Sequence, residues 1–319
     1  MSKISIVHKL HLKITSAISG AVSIQLLLIF ILMAPGNASA QNDGTANTGL
    51  SFLKLGVGAR SIAMGEAFAS LTDDGTAFIY NPARLSVTEN NNVTVMHNKS
   101  MTDLITNFVG AKFRIGKVGL GIGLLQSSVE GIEVRNIPGA ALDRFDAQNF
   151  SGGLSASMEV YKNLYVGLTG KLLYEKIYVD EASGFGFDIG TNYLINNISL
   201  SLVIANIGSM NELRSVSTKV PTSVRFGGAY TYRKNNLSFA GALEGFKVID
   251  GGLFHANIGG EAGYKDFIFI RLGYQLNYEN KGFSTGLGIK YKSLYLDYAF
   301  SPYSSSFGTG NSVSLGFNF

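Results

Sequence analysis

The sequence predicts an all-β fold: a 14-stranded antiparallel transmembrane β-barrel with an N-terminal hatch segment in the lumen. Three observations lead there. From Asn92 onward, segments of about ten residues alternate in polarity, the period-two signature of half-covered strands. The connections between them alternate between tight turns and longer links, the asymmetry of membrane-spanning hairpins. The 319 residues include 39 Gly, 15 Tyr and 21 Phe but only 5 Pro, which suits closely packed amphipathic strands better than helices.

Residues 1–40 read as an export signal. Lys3, Lys9 and Lys13 make a basic start with no acid before Asp43, an apolar run follows from Ala17 to Met33, and Ala38-Ser39-Ala40 supplies an A-x-A ending. Cleavage there makes Gln41 the first mature residue. The run could also be weighed as an anchor, since roughly 17–25 apolar residues can span a bilayer. The A-x-A ending and the polar stretch behind it favour removal. The chain has no Cys, which excludes lipoprotein attachment and disulfides. Of 26 basic residues three leave with the signal, so 23 face 22 acids and no nucleic-acid-binding charge remains.

Residues 41–91 read as the hatch. Gly56, Gly58 and Gly65 interrupt any strand pattern, while Ile62, Met64, Ala67 and Phe68 fall nearer helical spacing. Asp73-Asp74-Gly75 is a turn signal. Asn81-Pro82-Ala83 opens a short helix, with Asn81 as its cap. A compact, small-residue segment ahead of a closed barrel suits a luminal plug; the alternative is an N-terminal cap on a soluble β domain.

Residues 92–319 form the barrel. Strands are expected at 93–98, 104–115, 118–129, 148–160, 164–179, 184–195, 198–208, 222–232, 237–247, 252–264, 267–278, 282–291, 293–300 and 311–319. Fourteen is even, as a single-chain outer-membrane barrel requires. The longest links are 130–147 and 209–221. The parity puts both termini on the short-turn, periplasmic side of an outer membrane. Ile198, Leu200, Leu202 and Ile204 share one face against Ser199 and Ser201. In 267–278 the even-numbered residues from Ile268 to Tyr278 face out, and Phe267, Phe269, Arg271, Gly273, Gln275 and Asn277 face in. Nothing else in the chain can cover so much apolar surface, so outer-membrane lipid is the expected cover. Tyr161, Tyr193, Tyr232, Tyr264 and Tyr291 sit beside short turns as an interfacial girdle.

The same parity turns Lys112, Arg114, Lys171, Arg225, Arg271 and Lys290 inward against Glu159, Glu175, Asp188, Glu244, Glu261 and Asp297. An ion-selective pore carries a ring of one sign; a balanced set points to ion pairs bracing the wall and hatch. Inward Phe108, Phe267 and Phe269, with Arg114, Asp188 and Arg271 among the inward charges, give a candidate lumen pocket. With only His97 and His255 left after the signal, no thiolate or multi-histidine metal site can form, and no cofactor or enzymatic constellation is indicated. Val313, Leu315, Phe317 and Phe319 give the last strand an alternating apolar face ending on an aromatic carboxy-terminus, which resembles the signal read by the barrel-assembly machinery.

Residues Gly56–Gly65 (GVGARSIAMG), Asp73-Asp74 and Tyr80–Ala83 (YNPA) resemble the N-terminal signature of the PorV/PorQ family, related to the FadL group of fatty-acid transporters. Its hatch motif falls here on Gly58, Arg60, Met64, Gly65, Asp73, Asp74, Asn81, Pro82 and Ala83. That resemblance implies a fourteen-stranded barrel accessory to type IX secretion, with a secretion translocon, sorting-domain cargo or surface-anchoring proteins as partners. The alternative it carries is a FadL-like transporter of long-chain fatty acids or other hydrophobic ligands. The modest loops fit a cargo shuttle less well than they fit the fold.

Overall fold

The computed structural model describes Thr48–Phe319 apart from residues 101–102, 138, 217 and 305–306; the expected signal at 1–40 and its cleavage point lie outside the described residues. Fourteen antiparallel strands run β1 (Asn92–Ser100), β2 (Leu104–Ile115), β3 (Val118–Val134), β4 (Asp143–Tyr161), β5 (Leu164–Ile177), β6 (Asp180–Ile195) and β7 (Ile198–Met210). They continue as β8 (Ser223–Lys234), β9 (Leu237–Val248), β10 (Phe254–Tyr264), β11 (Ile268–Leu276), β12 (Phe283–Tyr291), β13 (Leu294–Pro302) and β14 (Thr309–Asn318). Each strand pairs with its sequence neighbours, and β14 pairs with β1 to close the barrel. Closure leaves no unpaired edge, the condition for crossing lipid with strands. No helix among the described residues is long and apolar enough to cross a membrane.

The tight turns explain why the strands end where they do. Asn163, Asn196, Asn235, Lys265, Asp266 and Lys292 all have positive φ, as does Gly116. Two-residue hairpins need that conformation, and Asn, Asp and Gly adopt it most readily. Between the turns, polar residues point into the lumen and apolar ones out. In β7, Ser199 and Ser201 are buried while Ile198 and Ile204 are exposed.

Three connections differ from the expectation. β3 and β4 extend well past 129 and 148, pairing Glu133 with Arg144 beyond a register shift at Val129/Ile132, so the link 130–147 shrinks to residues 135–142. Glu133 binds both Arg135 and, at 2.9 Å, Arg144, which holds the extension together. β5 and β6 meet through Tyr178 and Val179 alone, with Tyr178 at positive φ. Residues 211–222 are therefore the longest link, and the β3–β6 side of the rim stands above the rest. At the end of β11, Asn277 takes φ 65°, and Tyr278 does not face lipid but stacks on His255 with centroids 4.0 Å apart. Phe267, expected to face inward, sits in the β10–β11 turn and is exposed.

The hatch runs lengthwise through the lumen. Gly49 N donates to Lys219 O at 3.0 Å, at the long-loop end. The segment leaves at the opposite end, where Phe319 N donates to Asn91 O at 3.1 Å. The described chain thus enters the lumen from the long-loop end, whereas the loop parity placed both termini on the short-turn side. Along the way lie a 3₁₀ turn at Ser51–Lys54, α1 (Ala59–Ala63), α2 (Ala77–Tyr80) and a second 3₁₀ turn at Pro82–Ser86. The hydrophobic core of the protein is luminal: Leu50, Phe52, Leu53, Val57, Phe68, Phe78 and Tyr80 are buried in one cluster with Phe108, Leu125, Leu173 and Val220 of the wall and β7–β8 link.

The candidate functional site: a plugged lumen

Small wall residues let the hatch lie against backbone. A Cβ at Gly119 would collide with Leu85, one at Gly123 with Phe78, one at Gly167 with Pro82, and one at Gly190 with Asn81 Oδ1. These inward glycines are cradles for the plug, beyond any role in strand twist.

Asn81 fixes the turn at the heart of the hatch. Its Oδ1 accepts from Ala83 N at 3.0 Å, capping the Pro82–Ser86 turn, and its Nδ2 donates to Ala69 O and to Thr191 O of β6, each at 3.1 Å. Arg84 continues the attachment to β6 and β7 through Asn192 Oδ1 (3.1 Å) and Ser199 Oγ (3.2 Å), and donates to Thr72 O at 2.8 Å. Burial without a carboxylate partner draws its guanidinium down to about 10. Gly58, at φ +91°, donates its N–H to the Met96 sulfur at 2.9 Å. Gly65, at φ +62°, donates to Ser284 Oγ at 3.2 Å, and the Met64 backbone rests against Gly259.

The short-turn half of the lumen is ionic. Arg60 of α1 reaches Asp73 at 2.9 Å and Glu261 of β10 at 2.8 Å; Arg271 of β11 reaches Glu261 at 2.5 Å and Asp297 of β13 at 2.7 Å. Burial opposes the charge on Arg60, but Glu261 and Asp73 outweigh it and hold the group well above its ordinary range. Asp74 shifts upward, first because it is buried and second because Asp73 is adjacent, although its Oδ1 accepts from Thr76 N at 2.8 Å and Thr76 Oγ1 at 2.5 Å. Higher up, Lys281 binds Glu66 at 2.9 Å, and Glu244 of β9 accepts from Phe68 N (3.1 Å) and Ala69 N (2.8 Å) while pairing with Arg225 at 2.9 Å. Seven of the twelve inward charges, Lys171, Asp188, Arg225, Glu244, Glu261, Arg271 and Asp297, therefore pair across the wall, and Glu244 and Glu261 also hold the hatch. Lys112, Arg114, Glu159, Glu175 and Lys290 have no ion pair among the described residues. Among the described residues no cluster suited to a metal is present.

The six residues of the candidate pocket do not come together. Phe108 lies in the apolar cluster of the long-loop half. Phe269 and Arg271 line a cavity of about 500 Å³ at the short-turn end, with Arg60, Asp73, Glu261 and Asp297, and the Arg271 guanidinium sits 5.6 Å from the Phe269 ring centroid. Asp188 is taken up by Lys171 at 2.8 Å, Arg114 by Gly116 O at 2.7 Å and by Ser86 O, and Phe267 is outside the lumen. Val313, Leu315, Phe317 and Phe319 line the outer face of the closing strand. Sequence reasoning missed Arg84 and Glu66, and gave no role to Tyr80 of the YNPA stretch, whose hydroxyl accepts from Val57 N at 3.0 Å and donates to Ser61 Oγ at 2.9 Å. It also missed the first turn of the hatch, where Leu50, Phe52 and Leu53 in LSFLKL were the available signal.

No protein-family model and no curated protein matches this sequence. Solved structures do. The CymD monoaromatic hydrocarbon channel superposes with a TM-score of 0.60 at 13% identity, over 85% of this chain and 97% of that one. The Pseudomonas putida toluene transporter TodX gives 0.58 at 15% identity over 82% and 96%, and a Pseudomonas aeruginosa FadL homologue 0.50 at 12% over 82% and 98%. The fold is that of FadL-type outer-membrane barrels. These likenesses lend nothing to the PorV/PorQ resemblance in particular.

Proposed function

We propose that the protein admits small hydrophobic compounds across the outer membrane, with the first turn of the hatch as a displaceable stopper in an apolar luminal pocket. One observation carries this reading: Leu50, Phe52 and Leu53 occupy a lining made by Phe108, Leu125, Leu173 and Val220, where an apolar ligand would fit equally well. Each such side chain gains roughly 1.5–3 kcal/mol from burial, so a compound of similar apolar area can exchange for the turn at little net cost. The printed roles of CymD and TodX, a hydrocarbon channel and a toluene transporter, support the same class of cargo. The polar cavity below offers no comparable seat.

Binding of toluene and of a long-chain fatty acid to the purified barrel tests this. Phe52→Ala vacates part of the seat and is expected to tighten binding, and Phe108→Ala, which truncates the lining, to weaken it. Absence of saturable binding in wild type and Phe52→Ala alike overturns the proposal. In that event a second reading, a scaffold for a surface partner, gains ground from the raised β3–β6 rim, whose tip exposes Ile137, Leu142 and Val179.

A further inference from the structure

On the outer wall, strand register aligns four rows of outward side chains across β8, β9, β10 and β11. From the short-turn end they read Lys234–Leu237–Tyr264–Ile268, Tyr232–Phe239–Ala262–Ile270, Tyr230–Gly241–Gly260–Leu272 and Gly228–Leu243–Ile258–Tyr274. Glycine faces glycine in the third row, and an added Cβ at Gly241 or Gly260 would meet nothing within 4 Å. The result is an apolar groove of about 720 Å³, walled by Tyr230, Tyr232 and Phe239 on one side and Ile270 and Leu272 on the other. At about 3.3 Å per residue it starts some two residues, roughly 7 Å, in from the turns. Its near end is basic. Lys234 continues the outward row of Tyr230 and Tyr232, and Lys265 stands with Nζ 5.3 Å from the Tyr264 ring centroid. Arg233 is already committed to Asp266 at 2.6 Å, whereas Lys234 and Lys265 have no carboxylate partner among the described residues.

We propose that this groove holds one acyl chain of an anionic phospholipid, with the headgroup phosphate at Lys234 and Lys265. The belt is bathed in acyl chains, so a dent of this shape fills with one; the two cations at the interfacial end supply the complementary charge that fixes which lipid stays. The groove opens outward and uses none of the hatch contacts, so it is independent of what passes through the lumen.

The test is phospholipid phosphorus per folded barrel after repeated detergent washing. It is followed by exchange against vesicles of phosphatidylglycerol or phosphatidylethanolamine. Wild type is expected to retain about one phospholipid and to prefer phosphatidylglycerol about fivefold per lysine. Gly241→Leu with Gly260→Leu fills open space, so heat-modifiable migration stays normal while the retained lipid is lost. Lys234→Gln with Lys265→Gln keeps a lipid but loses the headgroup preference. Equal retention in wild type and the leucine variant, or an unchanged preference in the glutamine variant, overturns the proposal. So does a cross-linked dimer that the leucine variant abolishes in place of lipid.

Discussion

Asp74 shows how one residue carries a cost for its position. Its carboxylate is buried in the hatch beside Asp73, and its ordinary value of 3.8 is pushed upward, chiefly by burial. In the window above 3.8 the folded hatch holds a proton that the released segment gives up. Docking is therefore strongest in acid, weakens as the pH rises through the folded value, and stays weakened above it. Asp74→Asn keeps an oxygen for both Thr76 bonds and removes the charge. The expected outcome is a hatch that is more stable at neutral pH and no longer pH-dependent in that window, measured by proteolytic release of the hatch across a pH series. Asn81 and Asp73-Asp74 were legible as a cap and a turn because such signals are local. Arg84 was not, because its partners Asn192 and Ser199 lie more than a hundred residues away.

Among the elements, β9 meets the hatch through Glu244, whose carboxylate accepts two hatch amides and one arginine. Removing it leaves Arg225 buried without its charge partner, a loss of about 3–5 kcal/mol in such settings. Glu244→Ala is expected to raise exchange at the Phe68 and Ala69 amides by at least about a hundredfold, since each factor of ten is about 1.4 kcal/mol. Glu244→Gln, which keeps one acceptor, should fall between. Exchange unchanged in both variants would mean that the hatch is held elsewhere. The strands themselves were readable to within a few residues because alternation, together with Asn, Asp and Gly at the turns, is written residue by residue. The extension of β3, β4 and β6 was hidden because loop-like polar residues such as Glu133 and Arg144 can pair as strands above the membrane, where both faces are wet.

At the scale of the molecule, the hatch runs the length of the lumen, past an ionic cavity at the short-turn end and an apolar cluster that includes Phe108 toward the long-loop end. The sequence shows the inward charges and the inward phenylalanines, but parity alone cannot say at what height each side chain sits. Phe108 and Phe269 accordingly read as one pocket, although they lie in different halves. The balance of charge was visible, and so was its consequence, a lumen braced by ion pairs rather than lined for ions.

The central claim is that the first turn of the hatch must leave its apolar seat for a hydrophobic compound to enter. A Cβ built on Gly49 lies 3.6 Å from Thr218 Cβ, within the roughly 3.5–4.5 Å span of a disulfide. The chain has no other Cys, so Gly49→Cys with Thr218→Cys makes a single reversible tether between the hatch and the β7–β8 link. Saturable binding of toluene to the purified, oxidised barrel should be abolished and should return on reduction. Equal binding in the oxidised and reduced states would contradict the account.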